Sequence, residues 1–228
     1  MFGTTLIRGL LLRPAPRPAR DRARSGLLGA VIAFLGFLAL FGAVKARHSE
    51  PIDLAITLRM QARRHPTLAE LMEAVSWPGF PPQSRLIPPL MLAGLLALNL
   101  RVEAFFQLLA WGSGGLSELL KSYTQRARPL PEQVAVVVAP LGGTSFPSGH
   151  VLTYVGTYGF FAFLVHSLVR VGPLRRLAVG TLVLLLALVG PSRIYQGHHW
   201  PTDVAASYLL GTSYVIVLAA LYRRVRHA

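Results

Sequence analysis

Six apolar runs, at residues 27–44, 86–100, 104–120, 151–169, 174–189 and 204–222, alternate with short polar stretches along this chain. Most come near the ~20 residues that carry a helix across a hydrocarbon core about 30 Å thick, while 86–100 is brief and has Pro88-Pro89 close to its start. The pattern predicts an all-α fold, a polytopic membrane helical bundle with about six transmembrane helices. Residues 45–85 read differently. There Ile52, Leu54, Ile56, Leu58, Leu68, Leu71, Met72 and Val75 are interleaved with Arg59, Arg63, Arg64, Glu70 and Glu73. This predicts an interfacial amphipathic region of two short surface helices, broken at His65-Pro66 and ended by Pro78-Gly79, although a simple connecting loop fits the same pattern. Residues 134–139, apolar and followed by Gly142-Gly143, are expected to form an irregular loop over the site described below.

Ahead of the first run, residues 1–26 hold Arg8, Arg13, Arg17, Arg20, Arg22 and Arg24 among prolines, which predicts a basic disordered cytoplasmic tail. Residues 27–228 then form the membrane domain. The first run is long, and Lys45 spoils a small-residue cleavage site after it, so it reads as an uncleaved anchor.

Composition supports the membrane reading, because 53% hydrophobic and 14% charged residues are too apolar for an ordinary soluble domain. The net charge of +14 raises nucleic acid as a partner. The arginines are scattered between apolar runs rather than striped along one face, which argues against it. Basic loops facing anionic membrane lipids account for much of the excess. With no cysteine, disulfides, thiolate catalysis and Cys-ligated metals are excluded.

Six spans place the termini on one side. With both in the cytoplasm, 13 Lys and Arg lie inside (the tail arginines, Arg101, Arg170, Arg175, Arg176, Arg223, Arg224 and Arg226) and 10 outside. Three polar blocks then share the outer face: Lys121 to Pro129, Pro147 to His150 and Ser192 to Asp203. Cations and histidines beside membrane spans are costly to keep and suggest function.

Lys121 and Arg128, seven residues apart, would share a face of a continuous helix ended by Pro129, and could clamp one anion. Taken alone, they read first as the positive flank of a span. Ser148 fits the N-cap of the next helix, with Gly149 admitting a ligand close to backbone and His150 in the first turn. Arg193 precedes a tight turn at Gly197. His199 stands four residues before Asp203, where a carboxylate accepting from one imidazole nitrogen would leave the other free to attack. His198 competes, but its spacing to Asp203 is less suitable, and His199 is preferred. Glu118 could orient Lys121 or merely pair with it at a helix end. Trp77, Trp111 and Trp200 fit interfacial anchoring at least as well as substrate contact. His48, His65 and His166 belong to none of the three blocks.

K-x6-R-P at 121–129, P-S-G-H at 147–150 and S-R-x5-H-x3-D at 192–203 resemble the three-part signature of the type 2 phosphatidic acid phosphatase superfamily, which joins membrane lipid phosphatases with soluble vanadium haloperoxidases. The resemblance covers roughly residues 50–222. It implies His199 as a nucleophile forming a phosphohistidine, Asp203 orienting it, and His150 protonating the leaving oxygen and then activating water. Lys121, Arg128, Ser148, Gly149 and Arg193 would hold the phosphoryl oxygens. Phosphoryl transfer needs mainly positioning and a positive cradle, so no metal and no cofactor is expected.

The expected activity is hydrolysis of a terminal phosphate from a lipid phosphate. Undecaprenyl pyrophosphate is placed slightly ahead of phosphatidic acid and phosphatidylglycerophosphate, on the judgement that an Arg-rich, cysteine-free small protein of this layout is bacterial and sits in the inner (cell) membrane. Two rivals are a non-catalytic lipid phosphate binding or transport protein, which has no need of His150, His199 and Asp203 together, and a vanadate-dependent peroxidase, against which six spans argue. The pattern specifies no oligomeric state.

Overall fold

The computed structural model describes residues 20–63, 65–137 and 142–227. Most of the basic tail and residues 138 and 139 of the apolar loop lie outside them. Ten α-helices, with no β-strand among the described residues, make an all-α bundle. Leu28, Ile32, Leu35, Leu86, Leu90, Leu177 and Leu184 point outward, as befits a surface that meets hydrocarbon rather than water.

Helix α1 (Arg20–Lys45) lies along α10 (Pro201–His227), where Gly36 admits the Leu209 side chain at close range. Next, α2 (Glu50–Gln61) and α3 (Pro66–Ser76) break at the expected proline, and α3 passes into a single 3₁₀ turn at Trp77–Gly79. The polarity of α2 is the reverse of a surface helix resting its apolar side on the protein. It buries Asp53, Thr57 and Gln61 and exposes Ile52, Ile56 and Leu58. Its polar side serves the site instead.

The second expected span is α4 (Gln83–Ala97), whose 15 residues reach only about 22 Å at 1.5 Å per residue. The third is two helices, α5 (Arg101–Trp111) and α6 (Ser113–Thr124), bent at Gly112. The bend brings small residues against the neighbouring helix: Ser113 Oγ donates to Leu152 O at 3.3 Å, and a Cβ on Gly114 would stand 3.0 Å from Thr153 Oγ1.

That neighbour is the central helix. It comprises α7 (Gly149–Tyr154), a wider π-type turn at Val155–Gly159, and α8 (Phe160–Leu168). Gly156 lies in the π turn because any Cβ would meet Ser113 Oγ at 2.1 Å and Ala110 O at 2.6 Å. Then follow α9 (Pro173–Tyr195) and α10. Four helical segments among the described residues are long and apolar enough to cross a membrane: Ser25–Lys45, Gly149–Leu168, Pro173–Tyr195 and Pro201–Arg226. In place of the other two expected spans stand the short α4 and the bent pair. The segment Gly149–Leu168 is 67% buried, against 22%, 28% and 33% for the others, so the bundle is built around the helix headed by the P-S-G-H block.

At the end of the bundle away from that block, buried Glu103 accepts from Tyr222 Oη at 2.9 Å and pairs with Arg226 Nε at 3.2 Å. This ties the bent pair to α10 with a charge that is not left alone in a low-dielectric interior.

Candidate active site

The three polar blocks meet at one end of the bundle. A cavity of about 330 Å³ is lined there by Lys121 at the end of α6, Arg128 in the following loop, Gly149 and His150 at the head of α7, and His199 in the α9–α10 loop. Lys121 and Arg128 reach it from different elements, not from one continuous helix. Gln125 takes a left-handed conformation (φ 48°) that ends α6 at Thr124, and the chain turns back before Arg128. The clamp therefore closes through tertiary structure rather than helical spacing.

Lys121 Nζ donates to Glu118 Oε1 at 2.7 Å, and it lies close enough to Gly149 that a Cβ there would stand 3.5 Å from the ammonium. Arg128 reaches across the loop to donate from Nη1 to His198 O at 2.8 Å, with the same nitrogen 3.3 Å from His199 Nε2. Arg193, only 1% exposed, donates to Gln196 Oε1 at 2.8 Å, hydrogen-bonds His198 Nδ1 and lies over the Phe80 ring. Among the described residues no carboxylate pairs with it. Four buried polar atoms here lack any partner: Ser148 Oγ, His150 Nε2, Arg193 Nε and His198 Nε2. Buried polar groups without a partner are costly, and four of them at one place suit a ligand that would complete them.

His199 is set by its surroundings into one tautomer. Its Nδ1 stands 2.8 Å from Ser145 O, and a carbonyl can only accept, so Nδ1 carries the proton and Nε2 keeps its lone pair. Burial, reinforced by the Arg128 and Arg193 charges and opposed by Asp203, pushes the imidazole down to about 4. His198 is pushed down to about 2, first by burial and then by Arg193, and its Nδ1 is taken by the arginine.

The direct Asp203–His199 hydrogen bond expected from the i, i+4 spacing is replaced by an indirect one. Asp203 Oδ2 is 3.7 Å from His199 Nδ1, beyond hydrogen-bonding range. It accepts instead from Trp200 N at 2.8 Å and from Ser145 Oγ, the same serine whose carbonyl holds His199. The reason is local: Ser145, brought in by the 125–148 loop, fills the space between the two side chains.

Several site residues have no counterpart in the sequence reading. Arg126 pairs with Asp203 Oδ1 at 2.5 Å and with Asp53 Oδ2 at 2.6 Å. It sits inside the K-x6-R-P stretch, and its position two residues before Arg128 was the available signal. Asp53, Ser145 and Thr202 join through contacts that no local spacing reveals.

Gly79 in the 3₁₀ turn is a further constraint, because a Cβ there would stand 2.3 Å from His150 Cδ2 and 2.8 Å from Nε2. Phe80 packs edge-on to the same imidazole with ring centroids 4.7 Å apart. Gly79→Ala is expected to displace His150, and any reaction step that this imidazole serves would slow by about 10- to 100-fold, the order of effect that small misplacements have. Steady-state kinetics on the variant check it, and unchanged turnover would mean His150 is free to move.

The sequence pattern of the PAP2 superfamily matches residues 103–227, more than half of the chain and all three blocks. This chain belongs to the PAP2 superfamily. It is 31% identical over 188 residues to phosphatidylglycerophosphatase B of Bacillus subtilis (strain 168), covering 79% of this chain and 88% of that protein. It is also 43% identical over 79 residues to the bacitracin transport permease protein BcrC of Bacillus licheniformis, covering 34% of this chain and 31% of that protein. Among solved structures, the transmembrane PAP2-type phosphatidylglycerolphosphate phosphatase from Bacillus subtilis superposes with a TM-score of 0.74 at 27% identity, covering 86% of this chain and 96% of that one. Aquifex aeolicus LpxE superposes with a TM-score of 0.58 at 25% identity, covering 73% and 93%. Such cover places the fold and all three blocks of this chain within the PAP2 membrane proteins.

Proposed function

We propose that this PAP2 protein is a membrane lipid phosphatase that removes a terminal phosphate from a lipid by way of a phosphohistidine. The observation that supports the reading is the cavity itself. Its cationic end holds His150 and His199, and its walls continue along Pro88, Trp111, Thr157 and Tyr158 on helices of the bundle. That layout suits a lipid lying between helices with its phosphate among the cations.

In this mechanism His199 Nε2 attacks phosphorus while Lys121, Arg128, Arg193, Ser148 and the Gly149 backbone N–H hold the phosphoryl oxygens. The bond from phosphorus to the lipid oxygen breaks, and His150 gives that oxygen its proton. A water, deprotonated by His150, then attacks phosphorus, breaks the N–P bond and frees inorganic phosphate. Arginine, lysine and backbone donors supply the positive cradle that a metal provides elsewhere, so turnover in EDTA is expected.

The sequence alone placed undecaprenyl pyrophosphate slightly first. The likeness over most of the chain to a phosphatidylglycerophosphatase moves the weight to phosphatidylglycerophosphate, whereas the BcrC match spans a third of that protein. Thr153 and Thr157 line the cavity beyond His150, and Thr157 Oγ1 is buried without a partner. Hydroxyls at that depth suit a glycerol or ester group better than a plain hydrocarbon. Phosphate release in EDTA from phosphatidylglycerophosphate, phosphatidic acid and undecaprenyl pyrophosphate, each in detergent, decides among them. Preference for a glycerol lipid supports this reading, preference for the pyrophosphate reverses the substrate order, and no release from any overturns the enzyme.

The site would face the outside of a bacterial inner membrane with the termini in the cytoplasm. A reporter fused after Ala228 is expected to be cytoplasmic, and a periplasmic signal would invert the topology.

The low basicity of His199 has a pH consequence. Protonation removes the attacking lone pair, so the rate falls as pH drops through about 4, not through the ordinary value near 6.5. With para-nitrophenyl phosphate, whose leaving group needs no proton from His150, phosphoenzyme formation should stay flat from about pH 7 to 5. A loss with its midpoint near 6.5 would contradict this setting of His199.

A further inference from the structure

The polar side of α2 contributes to the site across a long stretch of sequence. Asp53 and Asp203 are completely buried, and Arg126 between them has only 11% of its side chain exposed. Its two terminal nitrogens divide the work. Nη1 donates to Asp203 Oδ1 at 2.5 Å and Thr202 Oγ1 at 2.8 Å, and Nη2 donates to Asp53 Oδ2 at 2.6 Å and Ser49 Oγ at 3.1 Å. Asp53 also accepts from Thr202 N at 2.8 Å and from Thr202 Oγ1 at 2.7 Å. Thr202 N is one of the N–H groups that α10 cannot satisfy internally, so a carboxylate from another helix caps the turn that carries Asp203.

We infer that Asp53 and Arg126 are positioning residues for the nucleophilic step, a buried clamp that fixes Asp203 and, through it, His199. Neither lines the cavity that holds the phosphate, and Asp53 lies outside the region matched by the superfamily pattern. The chain of contacts is continuous: Asp53 to Arg126 and Thr202, Arg126 to Asp203, Asp203 to Trp200 N and Ser145 Oγ, and Ser145 O to His199 Nδ1.

Charge gives the clamp a second task. When His199 Nε2 bonds to phosphorus the ring becomes cationic, and the Asp203 Oδ2 edge, 3.7 Å from Nδ1, is the negative charge that faces it. Were Arg126 bound to Asp203 alone, its charge would offset that carboxylate. Shared with Asp53, the guanidinium holds Asp203 in place while the three-charge group stays net negative. Arg suits this because its planar fork can serve two carboxylates, whereas a lysine ammonium is a single point.

The inference rests on His199 being the nucleophile, and the test separates the two. Asp53→Asn keeps the shape and a carbonyl for Thr202 N but removes the charge. The expected result is a 10- to 100-fold lower kcat per folded molecule, with KM and competitive inhibition by orthovanadate within twofold of wild type, a melting temperature in detergent that falls but stays above the assay temperature, and recovery in Asp53→Glu. An unchanged kcat, or a loss matched by the loss of folded protein, overturns the clamp. If Asp53→Asn does not fold, Arg126→Lys carries the same test, because it retains a charge but cannot span the two acids. Its expected result is again lower kcat at constant KM, and wild-type kcat overturns the clamp. If His199→Ala still hydrolyses lipid, the nucleophile reading fails. If His199→Ala is dead and both clamp variants turn over normally, only the clamp fails.

Discussion

Replacing His199 with alanine is expected to lower phosphate release by about 1,000-fold or more while leaving lipid binding nearly intact. The expectation follows from what Nε2 touches and what it does not. Among the described residues its one protein neighbour in hydrogen-bonding range is Arg128 Nη1 at 3.3 Å, which leaves the lone pair facing the cavity where the phosphate would sit. Removing a nucleophile that is part of a concerted unit costs far more than removing one binding contact. The cradle of Lys121, Arg128, Arg193 and the unpartnered Ser148 hydroxyl would survive, and with it the affinity for a phosphate group. Parallel measurements of hydrolysis and of radiolabelled lipid retention on purified protein separate the effects. Loss of both together would point to misfolding, and retained hydrolysis would remove His199 from the mechanism. Loss of hydrolysis alone also disposes of the rival in which the cations merely carry a lipid head group.

The second large effect is structural and lies two residues away. Gly197→Ala is expected to cost several kcal/mol of stability, or to abolish activity in whatever folds. Gly197 has φ +70°, a left-handed conformation that costs a residue with a Cβ about 1–2 kcal/mol. Here the added Cβ would also stand 2.3 Å from Ala135 O and 3.2 Å from Val136 Cα. Those are backbone atoms, held in turn by Gln61, whose Nε2 donates to Ala135 O at 2.8 Å and whose Oε1 accepts from Ala135 N at 2.9 Å. Neither side can yield by turning a side chain. The loop would have to shift, and it carries His198 and His199. Thermal unfolding in detergent beside kinetics gives the test, and a variant with wild-type melting and turnover would mean the loop is far more pliable than its hydrogen bonds imply.

The difference between what was legible in the sequence and what was not follows from the range of the interactions. The runs at 27–44, 151–169, 174–189 and 204–222 emerge as long helices because continuous apolar composition has few other solutions in a membrane. The run at 104–120 does not. Gly112 is tolerable within a helix at a cost of about 1 kcal/mol, and whether it bends depends on α7 standing close enough to reward the approach of Ser113 and Gly114. The 45–85 segment showed its proline break and its stop, but its apolar spacing gave no hint that Asp53, Thr57 and Gln61 face inward. The preference for His199 over His198 rests on its spacing from Asp203, and of the two it is His199 that lines the cavity, although its link to Asp203 is indirect. The serine that comes between them, and the Arg126–Asp53 pair, were beyond reach because their partners are separated by 58 and 73 positions of chain.

The proposed mechanism passes a phosphate through His199, and trapping it there is the most direct measurement. A lipid phosphate radiolabelled in its terminal group is mixed with detergent-purified protein in EDTA, the reaction is stopped in alkali within one turnover, and the protein is digested and mapped. The predicted result is label on the peptide containing His199, stable in base and lost in acid, in amounts that rise and fall with a single turnover. Phosphate released at the wild-type rate with no label on the protein, or with the label on another residue, would contradict it.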